Sequence, residues 1–407
     1  MTTLARRLGL ADAVVIGLGA MLGAGVFVVW GPAARAAGSA TGLMIALLLA
    51  ATVAACNATS SGRLAARYPE SGGTYVYGRE RLGPFAGYLA GWGFVVGKTA
   101  SCAAMALTIG SYLWPQQERL VAVLAVVVMT AVNLRGITKT AGATKALVVV
   151  TLGVLSLVVV LGLSSSGTPK ALPETTATPL AAAGLLFFAF AGYARIATLG
   201  EEVTDPHRTI PRAVPIALGI VLVVYVVVAL TCLEVLGVTR LGSSSAPLAE
   251  VVSAAGFPEL STVVRIGAGV AVCGVLLSLV AGVGRTVLAM ARRADLPRPL
   301  AAVHEHWKTP WIAELTVATI VIAVVLAADI RAAIGFSSLT VLVYYAITNL
   351  AAWTLGGPWV PRLVAGAGLL GCVLLAVTLP LSSVLAGTAV LAAGAIAYAL
   401  KPRHRRQ

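Results

Sequence analysis

Charged residues are scarce in this chain. Only 11% of its 407 residues are Asp, Glu, Lys or Arg, whereas 59% are hydrophobic. Soluble domains are roughly a quarter charged, so this composition excludes a soluble protein. Apolar runs of roughly 20 residues, the length that crosses the hydrocarbon core of a bilayer, recur along the chain. The composition therefore predicts an all-α polytopic membrane protein.

Cysteine and histidine are also few. The five cysteines lie inside apolar runs, their number is odd, and no spacing suits a metal site. The four histidines form no metal-binding motif. The loops hold no set of nucleophile, base and orienting group. We therefore expect no enzyme activity, no bound metal and no other cofactor.

The apolar runs predict about twelve membrane spans. No cleavable signal peptide is expected, because the polar start Met1 to Arg7 runs directly into a full-length span. The predicted spans are approximately 11–30, 39–61, 84–113, 119–134, 143–163, 180–203, 212–236, 262–291, 310–328, 333–356, 363–380 and 384–400.

Positive charge is distributed unevenly between the alternate loops. Lys and Arg favour one set of loops by roughly three to one, which predicts that both termini are cytoplasmic. A bacterial-type inner membrane is the expected location. The net charge of +14 therefore indicates membrane orientation rather than nucleic-acid binding. The basic tail Lys401–Arg406 is expected to meet anionic lipid head groups.

Two glycine-bearing segments interrupt apolar helices at matching places. The first is Gly23-Ala24-Gly25 in span 1, and the second is Ala191-Gly192 in span 6. Non-helical backbone at mid-membrane is tolerated where it is buried in protein or lines a wet cavity. The spacing predicts two inverted repeats of five spans, residues 1–163 and 164–356, followed by spans 11 and 12 in residues 357–407.

The two interruptions suit the two ends of an amino acid. Exposed amides at Gly23, Ala24 and Gly25 carry partial positive charge and can bind a carboxylate. The alternative is a packing surface of Gly19 with Gly23. Carbonyls freed at Ala191 and Gly192 can accept hydrogen bonds from an ammonium group. Phe188, Phe190 and Tyr193 would form the pocket wall or its lids, the alternative being ordinary aromatic packing.

Four stretches resemble the amino acid–polyamine–organocation transporter superfamily, in its bacterial amino-acid permease type. They are GLGAMLGAGVF (17–27), RYPESGGTYVY (67–77), FFAFAGYARIATLGEEVTDPHRTIP (187–211) and GRTVLAMARRADLP (284–297). The resemblance implies a LeuT-type 5+5 inverted-repeat fold, alternating access and an amino-acid or related amine substrate. It implies that the carboxylate binds at Ala24 and Gly25, and the ammonium near Phe188, Phe190 and Ala191.

The chain departs from that family pattern at two positions. Many relatives carry an acidic residue where this chain has Ala194, followed here by Arg195. Many also carry a lysine in span 5 where this chain has Thr151. Lys98, midway through span 3, is our candidate for proton coupling, and a structural lysine is the alternative.

Further candidates lie on span 3 and near the cytoplasmic end of span 6. Lys98, Cys102 and Met105 share a helical face with Ser101, so Cys102 and Met105 are expected to line the pocket. Arg195 is expected to pair with an adjacent glutamate or to line an inner vestibule. Glu201 and Glu202 with Arg208 would form a gate or a loop lock, and a solvated cap is the alternative.

Together these features predict a secondary active transporter of amino acids. Small neutral or acidic substrates are favoured, since two unusual cations and no acidic residue at Ala194 argue against a dibasic one. Transport would be proton-coupled or by exchange, in a monomer or homodimer. An amino-acid or polyamine exporter or antiporter, and a sensor that binds amino acids without transporting them, are the alternatives.

Overall fold

The computed structural model describes residues 8–68, 72–136, 141–164, 178–197, 199 and 202–401. Within these ranges the chain is helical and contains no strand; one isolated bridge pairs Leu8 with Val203. The helices in chain order are α1 (Leu10–Met21), α2 (Ala24–Val28), α3 (Trp30–Ala37), α4 (Ala40–Arg67), α5 (Thr74–Leu82), α6 (Pro84–Leu113), α7 (Glu118–Leu134), α8 (Ala141–Leu163), α9 (Pro179–Phe190), α10 (Ala194–Ala197), α11 (Pro206–Ser243), α12 (Pro247–Ala254), α13 (Pro258–Arg292), α14 (Trp311–Ala327), α15 (Ile330–Trp353), α16 (Trp359–Thr378) and α17 (Leu381–Ala399).

Every predicted span corresponds to a helix or to an interrupted pair of helices. Eleven segments of the described residues are long and apolar enough to cross a membrane, and α14 is a shorter apolar helix. The prediction of an all-helical polytopic membrane protein is therefore confirmed. The sixth predicted span is too long at its end, because α10 ends at Ala197 rather than at Val203.

Local sequence signals set several helix ends. The Ser39 hydroxyl accepts a hydrogen bond from the Gly42 amide at 2.9 Å and caps α4. The Asp329 carboxylate caps α15 in the same way, at 2.7 Å from the Ala332 amide. Gly38 ends α3 in the left-handed conformation, with φ of 66°. Proline opens α6, α9, α11 and α13, at positions where no amide is needed.

The helices pack in two groups that meet at the interruptions. One group centres on α6, which is buried along most of its length and packs on α7, α13, α14 and α15. In the other, α1 and α10 pack on each other and on α11, while α4 packs on α9 and α11. The short helix α2 contacts members of both groups. The interrupted helices therefore belong to the second group and meet the first group at α2, an arrangement consistent with a LeuT-type fold.

Candidate functional site

The first interruption falls where the glycines predict it. Helix α1 ends at Met21, Leu22 and Gly23 leave the helix, and α2 begins at Ala24. Gly23 adopts φ of −77° and ψ of −122°, which is not helical. Ala24 and Gly25 thus open the second half of the span, where their amides lack helical partners.

The second interruption is one tight turn rather than an extended gap. Helix α9 ends at Phe190, the turn Ala191–Tyr193 is a 3-10 helix, and α10 begins at Ala194. Gly192 lies in the middle of this turn and is half-buried. Such a turn changes the direction in which carbonyls point without fully unwinding the chain.

The two interruptions touch through their glycines. A Cβ atom on Gly25 would lie 2.6 Å from Ala189 Cα on α9. A Cβ atom on Gly192 would lie 2.8 Å from the Met21 amide nitrogen, and closer still to the Ala20 carbonyl. Both distances are shorter than real Cβ contacts, so no side chain fits at either position. These glycines therefore bring two backbones together, a role that the sequence interpretation did not assign to them.

Three buried tyrosines bind carbonyls at or beside the interruptions. The Tyr225 hydroxyl lies 2.7 Å from the Met21 carbonyl oxygen and 3.0 Å from that of Ala189. The Tyr112 hydroxyl donates to the Phe27 carbonyl at 2.7 Å. The Tyr345 hydroxyl donates to the Ala191 carbonyl at 3.4 Å. One of these acceptors, the Ala191 carbonyl, is a group that the sequence interpretation assigned to a substrate ammonium.

Sequence reasoning did not identify these tyrosines as site residues. A signal was present, because a tyrosine buried in an apolar span needs a partner for its hydroxyl. Interrupted helices supply spare carbonyl acceptors for that purpose. The sequence gives no indication of which tyrosine meets which carbonyl, since their partners lie as far as 204 positions away.

The predicted pocket residues are buried near the interruptions. Phe190 packs edge-on against Tyr225, with ring centroids 5.1 Å apart, and is fully buried. Tyr193 packs against Tyr345 at 5.0 Å and is also fully buried. Phe188 on α9 and Met105 on α6 each keep 8% of their surface exposed. These two residues are therefore better placed than the fully buried aromatic residues to border a narrow accessible space.

Lys98 lies at mid-length of α6 and is only 9% exposed. Its Nζ makes no hydrogen bond or ion pair to any described residue. One turn away, Cys102 is fully buried, while the Ser101 hydroxyl contacts that of Ser337 on α15 at 2.7 Å. A lysine at this depth is energetically expensive in a membrane, and such residues usually have a functional role.

One ion pair and two backbone hydrogen bonds hold the start of α1. The membrane face where this helix begins is called the starting face. The Asp12 carboxylate forms an ion pair with Lys145 on α8, with Nζ and Oδ1 2.8 Å apart. The Leu8 amide donates to the Glu202 carbonyl at 3.1 Å, and the Thr204 amide donates to the Leu8 carbonyl at 2.9 Å. The start of α1 is thereby tied to α8 and to the segment that follows α10.

Arg195, Glu202 and Arg208, three of the predicted gate or vestibule residues, lie from α10 to the first turn of α11. Arg195 on α10 is solvent-exposed and lies within electrostatic reach of Glu202 and of Arg285 on α13. Arg208 instead lies 3.7 Å from the Asp205 carboxylate, within its own helix turn. Glu201 lies outside the described residues. Arg195 and Glu202 thus stay neighbours, whereas Arg208 has its own acidic partner.

Comparison with known proteins identifies the family. The sequence matches the amino acid permease family over residues 12–359. The chain belongs to the amino acid permease family. It is 60% identical to an uncharacterized transporter of Mycobacterium tuberculosis, over 98% of this chain and 92% of that protein.

The names of two more distant relatives state a substrate. The serine/threonine exchanger SteT of Bacillus subtilis is 27% identical, over 76% of this chain and 74% of its own length. The branched-chain amino acid permease BcaP of the same organism is 25% identical, over 76% and 72% of the two chains. The chain is thus a membrane transporter of this family, and the names of these relatives all describe transport proteins.

Proposed function

We propose that this permease is a secondary active transporter of amino acids that works by alternating access. The contact between the two interrupted helices carries the proposal. Backbone groups at Gly23–Gly25 and at Ala191–Tyr193 lie beside one another in a buried region between the two helix groups. Carboxylate and ammonium groups need opposite partners a few ångströms apart, and ends of half-helices supply both kinds.

Small neutral or acidic amino acids are the proposed substrates. The described residues bordering the interruptions are apolar or aromatic. The neighbouring helix α6 carries a cation, Lys98, at its mid-length. Two distant relatives are named for serine and threonine and for branched-chain amino acids, which are small or medium neutral substrates. Position 194 is an alanine, so it offers no carboxylate to pair with a dibasic side chain.

We further propose that Lys98 carries a proton during transport, and that the starting face is cytoplasmic in a bacterial-type inner membrane. Lys98 is only 9% exposed and makes no ion pair with a described residue, and ionisable residues at this depth in a membrane often serve as proton relays. The excess of Lys and Arg in alternate loops supports the orientation. On this topology the contacts of Asp12 and Leu8 close the cytoplasmic side.

Uptake into proteoliposomes tests the proposal. Labelled alanine, glutamate, leucine and arginine are supplied with and without an inward proton gradient, and with and without unlabelled amino acid inside. Saturable uptake of alanine, leucine or glutamate that the gradient stimulates supports proton-coupled transport. Uptake that requires internal amino acid indicates an exchanger, as the name of SteT describes for that relative. Absence of flux in every condition contradicts the proposal and favours the sensor.

A further inference from the structure

A cluster of buried polar side chains lies beside the turn Ala191–Tyr193. Asn57 comes from α4, Asn349 and Tyr345 from α15, Cys372 from α16, and Tyr193 from the turn itself. Each is at most 1% exposed. Amide groups buried this deeply in a membrane protein need partners, and they hold helices in fixed relative positions when they find them.

The two asparagines form the centre of this cluster. Asn349 Nδ2 donates to Asn57 Oδ1 at 2.6 Å and to the Tyr345 carbonyl oxygen at 3.0 Å. The Cys372 thiol donates to the same Asn57 oxygen at 3.3 Å. One amide pair therefore joins α4, α15 and α16.

The cluster reaches the interrupted helix through Tyr345. Its hydroxyl donates to the Ala191 carbonyl, and its ring lies 5.0 Å from that of Tyr193 and 5.7 Å from that of Phe187. The Tyr193 hydroxyl is buried facing Asn57 and Tyr345. The turn is thus held by the Tyr345 hydroxyl, and the backbone carbonyl of Tyr345 accepts the hydrogen bond from Asn349 one helical turn away.

The fit around Asn349 leaves little freedom. A Cβ atom on Gly368 of α16 would lie 2.7 Å from Asn349 Oδ1, so α16 presses directly on the amide. Asn349 Oδ1, Asn57 Nδ2 and the Tyr193 hydroxyl make no standard hydrogen bond to another described residue. Losing the bond between the asparagines would leave Asn57 Oδ1 with the Cys372 thiol and Asn349 Nδ2 with the Tyr345 carbonyl as their remaining partners, so the two side chains should act as a unit.

We propose that Asn57 and Asn349 are positioning residues for the substrate site, because their hydrogen bond fixes Tyr345 and hence the turn Ala191–Tyr193. The effect on transport rests on the proposed function, whereas the effect on the turn does not. The competing explanation is a pair that only strengthens the packing of α4 on α15. If the pair serves only packing, its loss would raise hydrogen exchange along both α4 and α15, without a specific change at the turn.

Hydrogen–deuterium exchange with mass spectrometry separates these roles. The variants are Asn57→Leu, Asn349→Leu and their double mutant, with Asn349→Ser as a milder change in case a leucine variant fails to fold. Ser60→Ala is the matched control, since Ser60 lies one turn from Asn57 and its buried hydroxyl has no hydrogen-bond partner among the described residues. The readouts are exchange in peptides covering 187–196 and binding of labelled amino acid.

Exchange at 187–196 should rise in each asparagine variant, while the rest of α4 and α15 stays protected. Binding should weaken by about tenfold in each single variant, and the double mutant should be no worse than the singles because the two act together. Unchanged exchange at 187–196 in folded variants overturns the proposal. Failure of the wild type to bind amino acid contradicts only the proposed function, because the exchange experiment does not depend on substrate.

Discussion

The Tyr225 hydroxyl lies 2.7 Å from the carbonyl oxygen of Met21, the last residue of α1 before its interruption. The same hydroxyl is 3.0 Å from the Ala189 carbonyl on α9. A hydroxyl has one proton, so it serves the two carbonyls alternately. A single side chain on α11 therefore links both interrupted helices. We expect a displacement of one interruption to change the hydrogen bonding at the other.

Removing that hydroxyl should disturb both interruptions at once. In Tyr225→Phe two buried carbonyls lose their donor, at a cost of about 1–3 kcal/mol. We expect the protein to fold and its apparent affinity for substrate to fall about tenfold, as judged by radioligand binding. Tyr88→Phe is the matched control, because the Tyr88 hydroxyl makes no hydrogen bond to a described residue. Equal affinity in the two variants would show that Tyr225 does not shape the site.

Lys98 should couple transport to protons. Lys98→Ala is expected to remove the pH dependence of uptake while leaving the protein monodisperse and able to exchange amino acids, since only net proton movement is lost. Lys98→Met, which fills the same space without charge, should behave identically. Uptake is measured in proteoliposomes from pH 5.5 to 8.5. A wild-type pH profile in both variants would eliminate Lys98 as the proton carrier.

The ion pair between Asp12 and Lys145 should bias the protein toward the state closed at the starting face. Both side chains are partly exposed, at 26% and 55%, so the pair contributes roughly 0.2–1 kcal/mol. Asp12→Lys should open that face a few-fold, and the swap Asp12→Lys with Lys145→Asp should reverse the effect. Hydrogen–deuterium exchange at the Leu8 amide, which donates to the Glu202 carbonyl at this face, reports the opening. No reversal in the swap would mean that the pair itself does not hold the face closed.

A second charged group fastens the end of α17 to the bundle. The Asp295 carboxylate, 3% exposed, accepts from the Tyr75 hydroxyl at 2.6 Å, from Arg79 at 3.0 Å and from Lys401 at 2.9 Å. Burial, and secondly the hydrogen bond to Asp295, raise the pKa of Tyr75. The phenol therefore stays a hydrogen-bond donor at neutral pH. The substitution Asp295→Asn removes the negative charge that Arg79 and Lys401 contact.

We expect Asp295→Asn to lower the free energy of unfolding by about 3 kcal/mol, because buried ionic contacts lose their anion. Scanning fluorimetry in detergent measures the change as a lower melting temperature. Arg240→Gln, which breaks the exposed pair with Glu250, is the comparison and should shift it by less than about 1 kcal/mol. Similar shifts in the two variants would contradict a structural role for Asp295.

The sequence predicted the fold because membrane spans are set by simple physics. A stretch of about 20 apolar residues must form a helix in hydrocarbon, so twelve such stretches predicted the helices of this chain. The position of the first interruption followed from Gly23, where the chain leaves the helix. The repeat boundaries at 163 and 356 follow from counting spans and stay a prediction.

The contacts within the site could not be predicted in the same way. Asp12 on α1 and Lys145 on α8 form one ion pair, although nothing in the pattern of either helix indicates the other as its partner. Gly25 was predicted to offer its amide to a substrate carboxylate. In the structure, its missing side chain also allows the backbone of Ala189 on α9 to approach closely. Both relationships join residues more than 100 positions apart, and neither follows from the pattern of a single helix.

The most direct test of this account measures substrate binding when one methyl group is added between the interrupted helices. In Gly25→Ala the new Cβ would meet Ala189 at 2.6 Å and force α2 away from α9. Gly219→Ala is the control, since a Cβ there meets nothing within 4 Å. We predict that saturable amino-acid binding is lost in folded Gly25→Ala and kept in Gly219→Ala. Wild-type affinity in Gly25→Ala would show that the contact between the two helices does not form the substrate site.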